Sequence, residues 1–210
     1  MRTGISATRG PSGPSVSFGE VSTATRDRVV DTAIELFYVD GYHAIGVDRI
    51  LAESGVEEET LAEHFDSKDE LILAALKTRD ARFRADTERE LERRTDDPAE
   101  RLVLLFDLLG EWFSEPDFSG CMFINVAGDY AKRPEDPIHI AAAEHKQLFL
   151  QYLRTQAEAA GALDPDKLAA QLALLMEGAI TTAHVSGPQQ AATNARQIAA
   201  QLVEQATDAG

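Results

Sequence analysis

From Thr25 to Val203 the apolar residues of this chain recur three and four positions apart, and nowhere do two strand-like alternations follow one another. A period near 3.6 places such residues on one face of a helix, so the apolar surface can be buried only by packing helix on helix. Proline and glycine punctuate the pattern. Val29, Val30, Ala33, Ile34, Leu36 and Phe37 mark a first amphipathic helix, which Gly41 is placed to end. Val47, Ile50 and Leu51 mark a short helix closed by Gly55, and Thr60, Leu61 and Phe65 mark a third. Ser67-Lys68-Asp69-Glu70 has the form of a capping box and opens a fourth, through Leu71, Leu73, Ala74, Leu76 and Phe83 toward Arg94.

Asp97-Pro98 and Asp164-Pro165 repeat the start signal, since proline suits the first helical position. The first opens a helix through Leu102, Leu105, Phe106, Leu109 and Phe113 that Pro116 ends. A short element covers Cys121 to Tyr130, and a long helix follows Pro137 to about Ala160. The second opens a helix through Leu168, Leu172, Leu175, Met176 and Ile180, stopped by Gly187-Pro188, and a last helix carries Ile198, Leu202 and Val203. The expectation is an all-α protein of about nine helices. Three parts are read: a flexible N-terminal arm over 1–24, rich in Gly, Pro and Ser, a helix-turn-helix domain over 25–80, and a helical domain over 81–210.

Cys121 is the only cysteine of the 210 residues, which excludes an intramolecular disulfide and a cysteine-based zinc site. His43, His64, His139, His145 and His184 lack metal-ligand spacing, and no glycine-rich phosphate loop occurs, so neither a metal nor a cofactor is expected. Cys121 with His145 is the one pair that hints at a nucleophile and base, but their spacing does not establish contact, and no enzyme is expected. No apolar run approaches the ~20 residues of a membrane span, and a reducing cytoplasm is the simplest setting. The net charge of -16 is opposite to the basic footprint of most nucleic-acid binders.

Specific residues add to the pattern. Arg28 to Phe37, Asp40-Gly41-Tyr42, Val47 to Val56, and Thr60-Leu61 followed by His64 to Leu71 resemble the N-terminal domain of the tetracycline-repressor (TetR) family. Gly120 to Asn125 and His145-Lys146 resemble one ligand-binding branch of that family. The resemblance implies a helix-turn-helix DNA-binding domain joined to a C-terminal ligand-binding and dimerisation domain. It also implies a homodimer formed by the last two helices, a double-stranded DNA operator in whose major groove the third helix lies, and a small-molecule effector. Effector binding would change the spacing of the two reading heads, usually relieving repression. Positions matching the family's DNA contacts, with nearby cations, are Arg26, Arg49, Glu57, Glu58, Thr60, His64 and Lys68, joined by Arg28, Arg2 and Arg9.

The reading helix departs from the family. Glu57 and Glu58 stand where a hydroxyl or basic residue is usual, Glu59 where a small one is, and Ala62 and Gly46 where phosphate-touching hydroxyls are. Over residues 26–80 there are six basic and fourteen acidic residues, a balance of minus eight. Two functional expectations follow. One is a ligand-responsive regulator, a repressor, with an acidic recognition helix. The other is the same fold with DNA binding weak or lost, acting as a ligand-binding dimer or as a negative partner of another regulator.

For the sensor half, candidate pocket residues are Phe106, Trp112, Phe113, Met122, Phe123, Asn125, His145, Phe149, Met176 and His184, with Tyr130 and Tyr152 beside them. Phe, Met and Leu at helical spacing are also what a plain core needs. Asn125 and His145 discriminate better, because a buried polar group needs a partner.

Overall fold

The structure is a computed structural model that describes residues 18–188 and 190–208, with side chains from Thr23 onward. Arg2 and Arg9 lie outside the described residues. Nine helices and no strand occur among those described, in the order α1 Phe18–Asp40, α2 Val47–Ser54, α3 Glu58–Ala62, α4 Lys68–Arg94, α5 Pro98–Phe113, α6 Met122–Asp129, α7 Pro137–Ala159, α8 Pro165–Ser186 and α9 Ala191–Thr207.

The starts of the long helices follow their caps. The carboxylates of Asp97, Asp136 and Asp164 accept from Ala99 N, Ile138 N and Lys167 N at 2.9, 3.0 and 3.0 Å, and each is followed by proline. At α4, Ser67 Oγ accepts from Glu70 N at 3.2 Å, while Glu70 Oε2 accepts from Asp66 N at 2.8 Å. The reciprocal bond thus lands one residue before the cap. Gly55, at φ +64, closes α2 in the left-handed conformation and turns the chain toward α3.

Two boundaries differ from the sequence expectation. Helix α1 begins at Phe18 and not at Thr25, so it enters the segment read as a flexible arm. None of Thr23 to Asp27 is buried, which is why the apolar pattern does not mark this turn. Phe65 lies beyond α3, in a turn where His64 N and Phe65 N both donate to Leu61 O at 3.0 Å.

Val29, Val30, Ala33 and Phe37 of α1 bury against Leu71, Ile72, Ala75 and Leu76 of α4, with Ile50 and Leu61 closing the N-terminal head. Helix α4 continues without a break past residue 80 and packs on α7, so one helix belongs to both the head and the bundle of α5 to α9. Helices α5 and α9 share the broadest contact of that bundle, where Gly110 faces Ala192 so closely that an added Cβ would stand 3.1 Å from the alanine's. Helix α8 is long and apolar enough to cross a membrane by length and composition. Its apolar residues divide instead between the core (Leu168, Leu172, Met176, Ile180) and an open groove beside α9.

Gly120 enters α6 at φ +78, and a Cβ on it would lie 1.9 Å from Nδ1 of the exposed His184 ring. Gly120→Ala is expected to cost about 1–2 kcal/mol, roughly 3–6 °C in melting temperature. His184→Ala in the same chain should relieve the clash but leave the backbone part of that loss. Full recovery in the double variant would show that the left-handed backbone carries no strain.

Candidate functional site

Two regions carry chemistry. The first is a cavity between α1, α4, α5, α6, α7 and α8. Tyr38, Arg79, Phe83, Trp112, Cys121, Met122, Phe123, His145, Lys146, Met176 and Ile180 line it. The cavity is small, about 30 Å³, with little room beyond a few waters.

The polar groups of the cavity are held in fixed relations. Tyr38 Oη accepts from Trp112 Nε1 at 3.2 Å and from Ser119 N at 3.1 Å. Burial pushes the Tyr38 phenol up, against those two bonds and the nearby Arg79 charge. His145, 5% exposed, stacks flat on Phe123 at 3.7 Å, and its Nδ1 lies 2.7 Å from Asp80 Oδ1. Arg84 grips the same carboxylate through Nε and Nη2 at 2.9 and 2.8 Å. Burial raises the Asp80 pKa, but hydrogen bonds from Arg84 and His145 outweigh it, and the carboxyl sits below its ordinary value. Burial lowers the His145 pKa by more than the Asp80 bond raises it. The imidazole is therefore neutral near pH 7, donates from Nδ1 to an ionised Asp80, and keeps Nε2 as an acceptor.

Both shifts make the fold acid-sensitive. A depressed folded-state pKa means that the unfolded chain takes up a proton which the folded chain refuses. The contribution from His145 is thus present above about pH 6.5 and lost as pH falls through its lower folded value, and Asp80 adds a loss below about pH 4. The melting temperature is expected to fall between pH 7.5 and 5.5, and to fall less in His145→Gln. Equal slopes for the two proteins would show that His145 titrates normally.

Of the expected pocket residues, Trp112, Met122, Phe123, His145 and Met176 line the cavity. Phe106 and Phe113 are buried in the core outside its lining, and Phe149 sits behind Phe83 at 5.9 Å. Asn125 is exposed and donates to Ser119 O at 3.2 Å, and with His184 it borders a separate surface groove, so neither reaches the cavity. Tyr130 Oη meets Asp69 Oδ1 at 3.3 Å, whereas Tyr152 Oη is buried without a hydrogen-bond partner among the described residues. Tyr38 and Arg79 are absent from the sequence expectation, which reads Phe83 and Ile180 only as parts of helix faces and Cys121 and Lys146 only within the segments that resemble a ligand-binding branch. Arg79 and Phe83 lie four apart on α4, a spacing that puts them on one face. Lys146 Nζ stands 3.7 Å from Cys121 Sγ and 3.5 Å from Glu177 Oε1.

The second region is the α2–α3 unit. Glu57, Glu58, Glu59 and Glu63 are exposed and form no ion pair among the described residues, and Ala62 and Gly46 are also exposed. Thr60 is half-buried. Several cations that could offset these charges already have partners. Arg49 bonds Asp40 at 2.8 Å and Glu53 at 3.0 Å. Lys68 donates to Tyr42 O and lies 5.9 Å over the Phe37 ring. Arg26 stands 5.2 Å over Phe65 and 3.9 Å from Asp27. His64 is half-buried, edge-on to Phe65 at 6.4 Å, and Arg28 is exposed.

A helix-turn-helix head fused through one long helix to a helical bundle defines a regulator of the two-domain, all-α type. The pattern of bacterial regulatory proteins of the tetR family matches residues 29–75, and that of the tetracyclin repressor-like C-terminal domain matches residues 98–199. The crystal structure of sav143, a TetR-type protein of Streptomyces avermitilis, superposes with a TM-score of 0.73 at 31% identity, covering 87% of this chain and 97% of that one. The chain belongs to the TetR family of transcriptional regulators. Over 118 residues it is 33% identical to the transcriptional activator FasR of Mycolicibacterium smegmatis, 56% of this chain but only 52% of FasR. It is 26% identical over 152 residues to the transcriptional repressor ComR of Escherichia coli, 71% of this chain and 72% of ComR.

Proposed function

We propose that this protein is a ligand-responsive repressor, acting as a cytoplasmic homodimer whose effector occupies the cavity around Trp112 and His145. One observation carries the reading. The cavity wall includes Tyr38 of α1 together with Arg79 and Phe83 of α4, the two helices that pack to form the head. Because the cavity is small, a ligand larger than a few waters must displace its walls, and it shifts the head's position by as much as it favours the opened form. Repression is the simpler polarity, since it requires only that the operator be occupied; the family includes both signs, as FasR and ComR show by name. Dimerisation is read from the groove beside α9, where Leu174, Thr182, Asn194 and Ile198 surround exposed apolar surface of the kind an isologous contact buries.

The exposed glutamates of α3, without an ion pair among the described residues, support a second reading, a dimer that senses ligand without useful DNA affinity. A fluorescence-anisotropy titration with the DNA flanking the protein's own gene, at low and at physiological salt, separates the two. Submicromolar, sequence-selective binding at physiological salt is the expected result and overturns the second reading. No binding even at low salt overturns the first.

A further inference from the structure

We propose that the cavity selects a flat apolar acid, an aromatic ring system carrying a carboxylate, and that Arg79 is the residue that holds the acid group. This rests on the effector-site reading above. The chain carries a net charge of -16, and many of its arginines are paired with carboxylates, including Arg49, Arg82, Arg84, Arg94, Arg154 and Arg196. Arg79 is different. It lines the cavity, is half-buried, and ion-pairs with no carboxylate among the described residues; its guanidinium carbon stands 5.7 Å from the centre of the Tyr38 ring.

Two acids near the cavity are engaged elsewhere, and Asp117, whose charge also acts on Tyr38, forms no ion pair with Arg79 among the described residues. Asp80 is divided between Arg84 and His145. Glu177 faces Lys146, the second cation of the wall, at 3.5 Å. The remaining polar lining is a phenol that burial keeps protonated, a neutral imidazole and a thiol. The lining itself therefore carries two cations and no carboxylate, inside an apolar shell. A guanidinium in such a setting offers a planar fork that matches a carboxylate with two parallel hydrogen bonds.

The rest of the wall determines the remainder of the ligand. Phe83 and Trp112 rings stand 6.2 Å apart, and Phe123 and His145 lie stacked on each other in the same wall. Met122, Met176 and Ile180 complete the lining. Aromatic faces favour a flat ring, and methionines adapt to its outline. A cation would meet Arg79 and Lys146 in a low-dielectric space and be repelled, and a neutral ring would leave Arg79 without a partner.

The test is calorimetric titration of the full-length protein at pH 7 with matched probes of one, two and three rings: benzoate, 2-naphthoate and anthracene-2-carboxylate, each beside its primary amide and its aminomethyl analogue. At least one acid is expected to bind ten or more times tighter than its amide, and the amine is expected not to bind. Arg79→Gln, which breaks no ion pair, should remove that preference, weakening the acid at least tenfold and leaving the amide within twofold. An amide or amine that binds as well as its acid overturns the acid selectivity while leaving the cavity as the effector site. Acid preference that survives Arg79→Gln overturns the role given to Arg79. If no probe of any size binds, the effector-site reading fails and this one fails with it.

Discussion

Replacing Glu57 by Ser, Glu58 by Lys and Ala62 by Tyr in one chain is expected to tighten DNA binding by about two orders of magnitude at physiological salt. The three positions are exposed on α3 or at its cap, and the two glutamates have no ion-pair partner to lose. Each reading head gains three units of charge and one phenolic donor. A glutamate about 6 Å from a phosphate is repelled by about 0.7 kcal/mol before screening. With screening, the exchanges are worth roughly 1.5 kcal/mol per head, or about 3 kcal/mol for two heads, which is about a hundredfold. The salt dependence supplies an independent readout. One new lysine–phosphate contact per head should steepen the slope of log affinity against log salt by about 2 for the dimer. An affinity within twofold of the parent with an unchanged slope would show that α3 does not face the phosphates.

The second large effect concerns the proposed dimer. Leu174 and Ile198 are 76% and 46% exposed in the single chain and border the same groove between α8 and α9. In an isologous contact each substitution is repeated by symmetry, so Leu174→Glu with Ile198→Glu buries four carboxylates in an apolar seam. An unpaired buried charge costs several kcal/mol, and even about 4 kcal/mol in total raises the dissociation constant about a thousandfold. Sedimentation velocity at micromolar concentration should show a monomer with unchanged helix content. Ile140→Glu is the control, because Ile140 is 42% exposed on α7, away from the groove, and the protein should remain a dimer. A double variant that sediments like its parent would place the interface elsewhere.

The fold was largely legible because its signals are local. Asp-Pro at two helix starts, the Ser67–Glu70 cap and Gly55 after α2 each act within one turn, and the structure keeps all of them. Position 65 was misjudged because Phe65 has helical spacing from Leu61 but is buried from a turn. The cavity was less legible, since it is made by helices distant in sequence. Trp112, Met122, Phe123, His145 and Met176 have the chemistry of a pocket wall and were found on that ground. Phe106 and Phe113 have the same chemistry and point into the core. Tyr38 escaped notice because it lies on a helix assigned to the head, and Arg79 because α4 looks mostly charged there. The sequence places Asn125 among the buried polar groups, whereas its side chain is at the surface on the Ser119 carbonyl. The paired state of Arg49 and the turned-back Lys68 required the spatial positions of Asp40 and Tyr42.

Helix α4 serves the head with Leu71, Ile72, Ala75 and Leu76 and the bundle with Leu91. The two halves are therefore joined by a rigid rod whose phase matters, and not by a hinge of free length. One residue added between Leu76 and Phe83 would lengthen the rod by about 1.5 Å and turn the head by about 100° relative to the bundle. Tyr38 would leave Trp112, and the two heads of a dimer would face in new directions. In a lineage that keeps this architecture, residues in that stretch can be exchanged, but insertions and deletions there are far harder to accommodate, so the head and the bundle can recombine only through crossovers that preserve the helical register.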